Sequence, residues 1–406
     1  MRNLGIIALV FALVACEKID DTGNNPYKAL DLTTKSAEIL EKGSAFNLNY
    51  IERINKDTDK DYIISPLSMQ FLLGMILDGA QGQTADEICS VLGYGKGEVD
   101  DVNEFCKSML EQLPALDKKT TLTIANAIFV DDGWPLLDSY KTAVSKYYQA
   151  EVSNLDFSDG VASLQAINGW GSKHTNGLVP KILDEVNPNL LAILLNAMYF
   201  KSQWKEKFQK SATSQETFTD ESGAKKQVPM MKQTKKYGYM EDKVFQAVKL
   251  PYGNGAFSMT VFLPQDGYKL ADVIKDLKSI GLNAVRYMSN YEVDLWLPRF
   301  ETTYHIKLND ILSDMGMPSS FDSSKADFKA MSAYAAYLSF VQQDAVIKVD
   351  EEGSEAAVVS SAGMMKDAAP SAIDRVVFHA DHPFIYMITE SSTGAVLFAG
   401  RYSGKN

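Results

Sequence analysis

The sequence predicts an α+β fold, and three features carry that expectation. Amphipathic helical patterns crowd the first half, two almost continuously apolar runs interrupt them, and strand-length segments dominate the second half. Ser65-Pro66 opens the first clear helix: a Ser side chain can accept from the free amides of the first turn, and Pro fits there because its missing N–H would have no partner. Leu67, Phe71, Leu72, Met75 and Ile76 then form an apolar stripe at helical spacing. Thr84 followed by Glu87 reads as a capping box for a second helix, which runs toward Leu92 and stops at Gly93. Gly93, Gly95 and Gly97 make a turn; their spacing does not fit a dinucleotide-binding loop, and no strand precedes them. The apolar runs 122–130 and 190–200 suit strands covered on both faces. Between them, 164–175 reads as a helix with Ile167, Trp170 and Gly171 near one side, closed by Asn176-Gly177. Later strands are expected at 257–263 before Pro264 and at 293–297 before Pro298. A final hairpin, 384–389 with 395–401, flanks Ser391-Ser392-Thr393-Gly394.

The 406 residues are 46% hydrophobic and 23% charged, a globular composition with length enough for a large core. Length alone suggests two or three domains, but no Pro/Ser-rich or charged linker separates Leu30 from Arg401, so a single domain over 31–406 is expected. A net charge of −12 argues against nucleic acid, whose phosphates are held mainly by Lys and Arg. The densest basic stretch, Lys225, Lys226, Lys232, Lys235 and Lys236, is followed by Glu241 and Asp242 and reads as a solvated hairpin face, with polyanion binding as the alternative. Cys89 and Cys106 are expected as unpaired thiols, since a chain this long does not need a staple.

The first residues form their own unit: Arg2, an apolar run over 4–14, then Ala15-Cys16. Residues 1–15 read as a secretory signal, too short for a permanent membrane-spanning helix. Leu13-Val14-Ala15-Cys16 also resembles a bacterial lipobox, which implies cleavage before Cys16, lipid modification of that Cys, and a polar tether over 16–30. Glu17, Lys18, Asp20 and Asp21 resemble acidic surface-export signals, so the expected location is the bacterial cell envelope, at the outer membrane or cell surface.

The most informative stretch begins at Val349-Asp350-Glu351-Glu352-Gly353-Ser354-Glu355-Ala356-Ala357. Charge stops at Glu355, and from there to Met365 nothing is charged, aromatic or Pro. As a strand, the segment would put Ser354, Ala356, Val358, Ser360, Ala362 and Met364 on one face, and all six could enter a sheet interior without burying a charge. A flexible Ala/Ser/Gly linker has the same composition. Surrounding words break the tie. The 349–357 run resembles the hinge of the reactive-centre loop of serpins, and Ala380-Asp381-His382-Pro383-Phe384 resembles the segment after that loop. Ile64-Ser65-Pro66-Leu67-Ser68, Leu195-Asn196-Ala197-Met198-Tyr199-Phe200-Lys201 with Trp204 and Phe208, and Val396-Leu397-Phe398-Ala399-Gly400 resemble further words of that family in the expected order.

The resemblance implies a serpin fold: a large mixed central sheet with covering helices, further sheets, and an exposed reactive-centre loop at about 353–378. It implies inhibition of serine endopeptidases, with cysteine endopeptidases as a further class, in which a cleaved loop inserts into the sheet while the protease stays attached as an acyl-enzyme. The protein would then be no enzyme, with no cofactor or metal, and a monomer. Glu351, Gly353, Ser354, Glu355, Ala356 and Ala357 fall on the hinge. Ser65, Ser68 and Asn196 fall on the polar shutter beneath the opening strands, with Gln343 where the family has His and Asp344 where it has Lys. Trp204 falls on the breach, where the loop enters.

The cleaved bond is harder to place. Counting forward from Gly353 puts the residue before the bond at Asp367, or at Lys366 for a loop one shorter, whereas counting back from Pro383 points near Ala372. Lys366 would suit trypsin-like proteases and ranks first, with Met365 second; Met364 or Met365 would suit elastase-like or chymotrypsin-like ones, and Asp367 only unusual targets. No G-x-S-x-G elbow, H-E-x-x-H helix or phosphate-cradling loop occurs, and His174, His305, His379 and His382 are scattered. Two other readings compete: a serpin fold acting as a carrier or binding module, and an unrelated surface-lipoprotein hydrolase.

Overall fold

A computed structural model describes residues 25–354 and 375–405. Helix α1 (Thr34–Asp57) leads to strand β1 (Tyr62–Ile64) and then to α2 (Pro66–Gly79), α3 (Gly82–Leu92) and α4 (Val99–Gln112). Strand β2 (Thr121–Asp131), α5 (Asp138–Tyr148), β3 (Glu151–Leu155), α6 (Gly160–His174) and β4 (Ala192–Gln203) come next. Strands then take over: β5 (Ser214–Thr219), β6 (Lys225–Glu241), β7 (Phe245–Pro251), β8 (Phe257–Pro264), β9 (Ser289–Pro298) and β10 (Phe300–Lys307), with α7 (Leu270–Ile280) between β8 and β9. Helix α8 (Asn309–Met315) precedes β11 (Gln342–Val349) and the two-residue β12 (Gly353–Ser354). The chain closes with β13 (Arg375–His379), β14 (Phe384–Glu390) and β15 (Val396–Tyr402).

Two sheets result among the described residues. One runs β1-β15-β14-β8-β7-β6-β9-β13, with β5 beside β6; the other runs β10-β11-β12-β4-β2-β3. The final hairpin forms as expected, with β14 antiparallel to β15 and a bulge between Ile388 and Thr389. Its turn is organised by Glu390, fully buried, whose carboxylate accepts from the Ser392 and Thr393 amides at 2.7 and 2.8 Å. The basic stretch lies on β6 and is partly neutralised, with Lys232 on Glu216 and Lys235 on Glu206.

The main core extends from Leu30 to Tyr402 and lies between the sheets and α1–α5. A smaller cluster packs Ile167 and Trp170 of α6 over Ala127, Phe129, Ile193, Leu195 and Ala197, so α6 lies across the outer face of β2 and β4. Odd-numbered side chains of β4 therefore meet α6, and even-numbered ones face the main core. Cys89 and Cys106 are both buried and unpaired. Among the described residues no helix is long and apolar enough to cross a membrane.

Ser65 caps α2 as the sequence predicts, accepting from the Ser68 amide, with Pro66 in the first turn. The capping box at Thr84 does not form. Helix α3 starts earlier, at Gly82 with Gln81 as its uncapped entry, and both side chains turn to the 319–327 segment instead. Thr84 accepts from the Asp327 amide, and Glu87 accepts from both the amide and the hydroxyl of Ser319. Long-range partners outcompeted the local cap. Helix α6 likewise begins at Gly160, four residues ahead of the expected start, because Asp159 caps the Ala162 amide at 3.1 Å.

Asp78, in the last turn of α2, accepts from Asn103 through Oδ1 at 2.8 Å, while Oδ2 is buried without a partner. Burial pushes its carboxyl up to about 6. The unfolded chain sheds this proton near the ordinary carboxyl value, about 3.9, so the contribution of Asp78 to stability is fully present below that pH and is lost as pH rises through about 6. Asp78→Asn should flatten this slope. It should raise stability on the order of 2 kcal/mol at pH 7 and leave it nearly unchanged at pH 4, read by urea unfolding at both.

Candidate functional site

The sheet that carries α6 is built as two halves. Strands β10 and β11 pair antiparallel, and β4 pairs antiparallel with β2, which pairs parallel with β3. Among the described residues no backbone pairing joins β11 directly to β4; the halves meet only through β12, where Ser354 pairs with Val349 on one side and Ser202 on the other. Beyond β12 the two strands flank a cleft.

A turn over Asp350, Glu351 and Glu352 aims the chain into this cleft. Asp350 donates its amide to the Gly353 carbonyl at 3.0 Å, and its Oδ1 accepts from the Glu352 amide at 2.9 Å. The segment after β4 grips the turn from outside. The indole of Trp204 donates to the Asp350 carbonyl at 2.8 Å, and the amides of Trp204 and Phe208 donate to Glu352 and Glu351 at 2.9 and 3.0 Å. Lys207 sits 2.9 Å from the Glu352 carboxylate and holds it below the usual range. Glu351 is 3% exposed, accepts from the Thr213 hydroxyl at 2.7 Å and lies 3.6 Å from Arg299.

Gly353 and Ser354 are both buried. A Cβ at position 353 would collide with the carbonyl oxygen of Ser202, so close approach of two backbones demands glycine here. Ser354 is 1% exposed and shares a 2.6 Å hydrogen bond with the Tyr252 hydroxyl, and the Tyr252 ring stacks on Trp204 at 4.4 Å. Glu351→Gln would keep the contact with Thr213 but lose the charge opposite Arg299. Because Arg299 is half exposed, the expected loss is about 1 kcal/mol in urea unfolding, and an unchanged midpoint would show that the ion pair does not hold the turn.

Deeper in the cleft, the amino end of α2 touches both flanking strands. Gln343 of β11 accepts from the Ser65 amide at 3.0 Å and from the Tyr50 hydroxyl at 3.2 Å, and its own amide donates to the Ser65 carbonyl at 2.9 Å. A side chain that both donates and accepts therefore satisfies one residue's N–H and C=O together. On the other side the Ser68 hydroxyl donates to Asn196 of β4, which donates to Asn126 at 2.7 Å; Asn126 in turn donates to the Tyr148 carbonyl at 2.7 Å. The Ser65 hydroxyl donates to the Leu397 carbonyl at 2.6 Å.

Asp344 faces the outer side. It pairs with His305 at 2.6 Å and accepts from Gln342 at 3.1 Å; burial raises its carboxyl, and the bond to His305 opposes the rise. Gln342 also donates to the Ile182 carbonyl at 2.6 Å, pinning the link between α6 and β4 onto β11.

The structure thus brings together Ser65, Ser68, Asn196 and Gln343, and separately Trp204, Glu351, Gly353 and Ser354. Glu355, Ala356, Ala357, the bond candidates Met364, Met365, Lys366 and Asp367, and Cys16 lie outside the described residues. Sequence reasoning missed Tyr50, Asn126, Tyr252, Thr213, Lys207 and Arg299. Only Asn126 carried a signal, as a lone amide inside an apolar run. His382 bonds Asp381 through Nδ1 at 2.8 Å and the Pro264 carbonyl through Nε2 at 3.0 Å, so both nitrogens are engaged and neither is left to act as a base. Among the described residues no group of three potential ligands could hold a metal.

A family model described as serpin (serine protease inhibitor) matches residues 41–404. Serpin B6 of Pongo abelii is 34% identical over 376 residues, covering 90% of this chain and 99% of its own. Neuroserpin of Gallus gallus is 31% identical, covering 84% of this chain and 86% of its own. Among solved structures, the thermophilic serpin tengpin in its native state superposes with a TM-score of 0.83 at 26% identity, over 93% of this chain and 96% of its own. Thyroxine-binding globulin in complex with thyroxine superposes with a TM-score of 0.80 at 27% identity, over 90% and 98%. A nearly full-length family match, full-length relatives above 30% identity and a shared fold leave one conclusion: the chain belongs to the serpin family.

Proposed function

We propose that this serpin inhibits serine endopeptidases by a suicide mechanism, in which cleavage within 355–374 frees a strand that fills the cleft between β4 and β11. The observation that carries this reading is β12, a two-residue start of that strand already seated between its future neighbours.

Extending the β12 register down the cleft supports it further. Ser354 opposite Ser202 and Val349 would be succeeded on the core side by Ala356 between Phe200 and Ile347, then Val358 between Met198 and Ala345. Ser360 would come between Asn196 and Gln343, the polar residues bonded to the amino end of α2. Ala362 would reach Leu194 and Met364 would reach Ala192, the first residue of β4. Apolar side chains thus meet apolar ones in the Ala356 and Val358 rows, and Ser360 meets the polar pair Asn196 and Gln343.

The same register bears on the bond. Cleavage at Met365, Lys366 or Asp367 would leave the attached protease within a few residues of the sheet's far end. Cleavage near Ala372 would leave about 27 Å of slack at roughly 3.4 Å per residue, enough to spare the protease from distortion. Lys366 and Met365 are therefore the bonds of choice, for trypsin-like and elastase-like targets respectively. Distortion of the protease would misalign its oxyanion hole and stop hydrolysis of the acyl bond.

Signal-like residues 1–15 and Cys16 support an envelope lipoprotein, anchored through acyl chains with the inhibitory domain held outside the membrane. The second reading, a non-inhibitory carrier, is favoured by the similarity to a thyroxine-bound globulin. Mixing the chain from Glu17 onward with a trypsin-like and an elastase-like protease tests the first against it. An SDS-stable band at the summed mass is expected, and the first residue of the released peptide identifies the bond. Clean cleavage by both proteases without such a band would reject inhibition.

A further inference from the structure

A buried carboxylate stands behind the seat of β12. Asp117, just ahead of β2, is 1% exposed, and four donors converge on its two oxygens. Oδ1 accepts from the Lys119 amide at 2.9 Å and from the side-chain amide of Asn25 at 2.6 Å. Oδ2 accepts from the Thr120 hydroxyl at 2.8 Å and from the Asn254 amide at 3.2 Å. A carboxylate with both oxygens filled in this way is a fixed point, because moving it would leave a buried charge without partners.

Two paths lead from it to β12. Thr120 also lies 2.6 Å from the Ser202 hydroxyl; since a carboxylate only accepts, the one proton of Thr120 goes to Asp117, and Ser202 donates to Thr120. Ser202 is the residue of β4 that pairs with Ser354. On the second path the Gly253 amide donates to the Gln203 carbonyl at 2.9 Å, Gln203 pairs with Gly353, and the neighbouring Tyr252 bonds the Ser354 hydroxyl. A Cβ at position 253 would run into the Asp117 carboxylate, and φ there is +43°, so only glycine lets this turn close on Asp117.

The N-terminal segment is fastened to the same point. Asn25 donates to Asp117 and accepts from the Lys118 amide at 3.0 Å, while the Asn254 side chain donates to the carbonyls of Pro26 and Leu116 at 3.2 and 2.8 Å. Asp117 and Asn25 both lie outside the hinge, shutter and breach. We propose that Asp117 is a positioning residue for loop insertion, holding the β4 side of the β12 seat from behind, and that Asn25 makes the N-terminal segment part of that seat. The consequence for inhibition rests on the insertion reading above; the seat itself does not.

Hydrogen exchange on the full chain, read by mass spectrometry, tests the seat. Asn25→Ala removes one donor from Asp117, so exchange over 349–354 and 199–204 should quicken by about fivefold, the factor of one hydrogen bond, with β6 and β9 unchanged. A general loss of stability would quicken β6 and β9 as well. Asn25→Asp should quicken 349–354 at least as much, since a second carboxylate would face Asp117. Asp117→Asn should act more strongly still, because an amide nitrogen would then meet donors; if that variant does not fold, the two Asn25 variants decide. Unchanged exchange over 349–354 in both of them, or equal quickening in β6 and β9, overturns the proposal. With protease, Asn25→Ala should lower the yield of SDS-stable complex by up to the same factor while the loop is cleaved as fast as in the parent. Faster exchange with an undiminished yield would overturn the role in insertion. A parent that forms no complex would instead reject inhibition and leave the exchange result standing, so the two failures are told apart.

Discussion

Ser354→Arg should abolish formation of the covalent protease complex while leaving cleavage of the loop as fast as in the parent. Position 354 is 1% exposed, and its hydroxyl is matched to Tyr252, whose phenol burial keeps protonated. A guanidinium there would meet no carboxylate at hydrogen-bonding distance from the present side chain, and an unpaired buried charge costs several kcal/mol. The cheaper outcome is for Gly353 and Ser354 to leave the sheet, which removes the described pairing between its halves. On denaturing gels the complex should fall at least tenfold, with cleaved serpin in its place. An unchanged yield of complex would mean that strand insertion does not start at β12. Ser354→Thr keeps the hydroxyl and separates loss of polarity from gain of charge.

Proteolytic nicking within 355–374 should raise the unfolding temperature by about 20 °C or more. About ten new rows of strand, each worth roughly 1 kcal/mol net in hydrogen bonding, give on the order of 10 kcal/mol before apolar burial is added. In a chain longer than 250 residues each kcal/mol moves the midpoint by roughly 2 °C or less, so apolar burial by Val358, Ala362 and Met364 has to supply the remainder. Differential scanning calorimetry of intact and nicked protein measures the shift directly. Nicked Ser354→Arg should show much less of it, whereas an equal rise in both would place the stabilisation elsewhere than in the sheet. A nicked parent protein that melts with the intact one would leave the carrier reading in possession.

How much of this was legible in the chain depended on how local the determining interactions are. The Ser65-Pro66 cap, the apolar strands around β2 and β4 and the final hairpin are written in adjacent residues, and they form where the sequence puts them. Thr84 and Glu87 obey the same local rule and break it, because Asp327 and Ser319, more than two hundred residues away, offer better partners. The site divides in the same way. Gly353 and Ser354 stand out by their small size beside a run of charge. Tyr252, Thr213 and Arg299 stand out by nothing, since their roles arise only when separate strands converge on the 350–352 turn. Gln343 shows the limit of family patterns: the expected imidazole is missing, yet a carboxamide bonds both the N–H and the C=O of Ser65.

The two residues of β12 also change what kind of event insertion is. Adding a strand to a sheet is ordinarily limited by the first contact, since the entropy of bringing chain ends together is lost before any row compensates for it. Here that first contact exists before any protease arrives, held by the bonds of Trp204, Phe208 and Lys207 to the turn. On the proposed mechanism, cleavage would release propagation from a standing nucleus, with no search and no lag. The race against deacylation would then be decided in the middle of the loop, row by row, and substitutions there should tune the partition between trapping and turnover more finely than any change at the hinge.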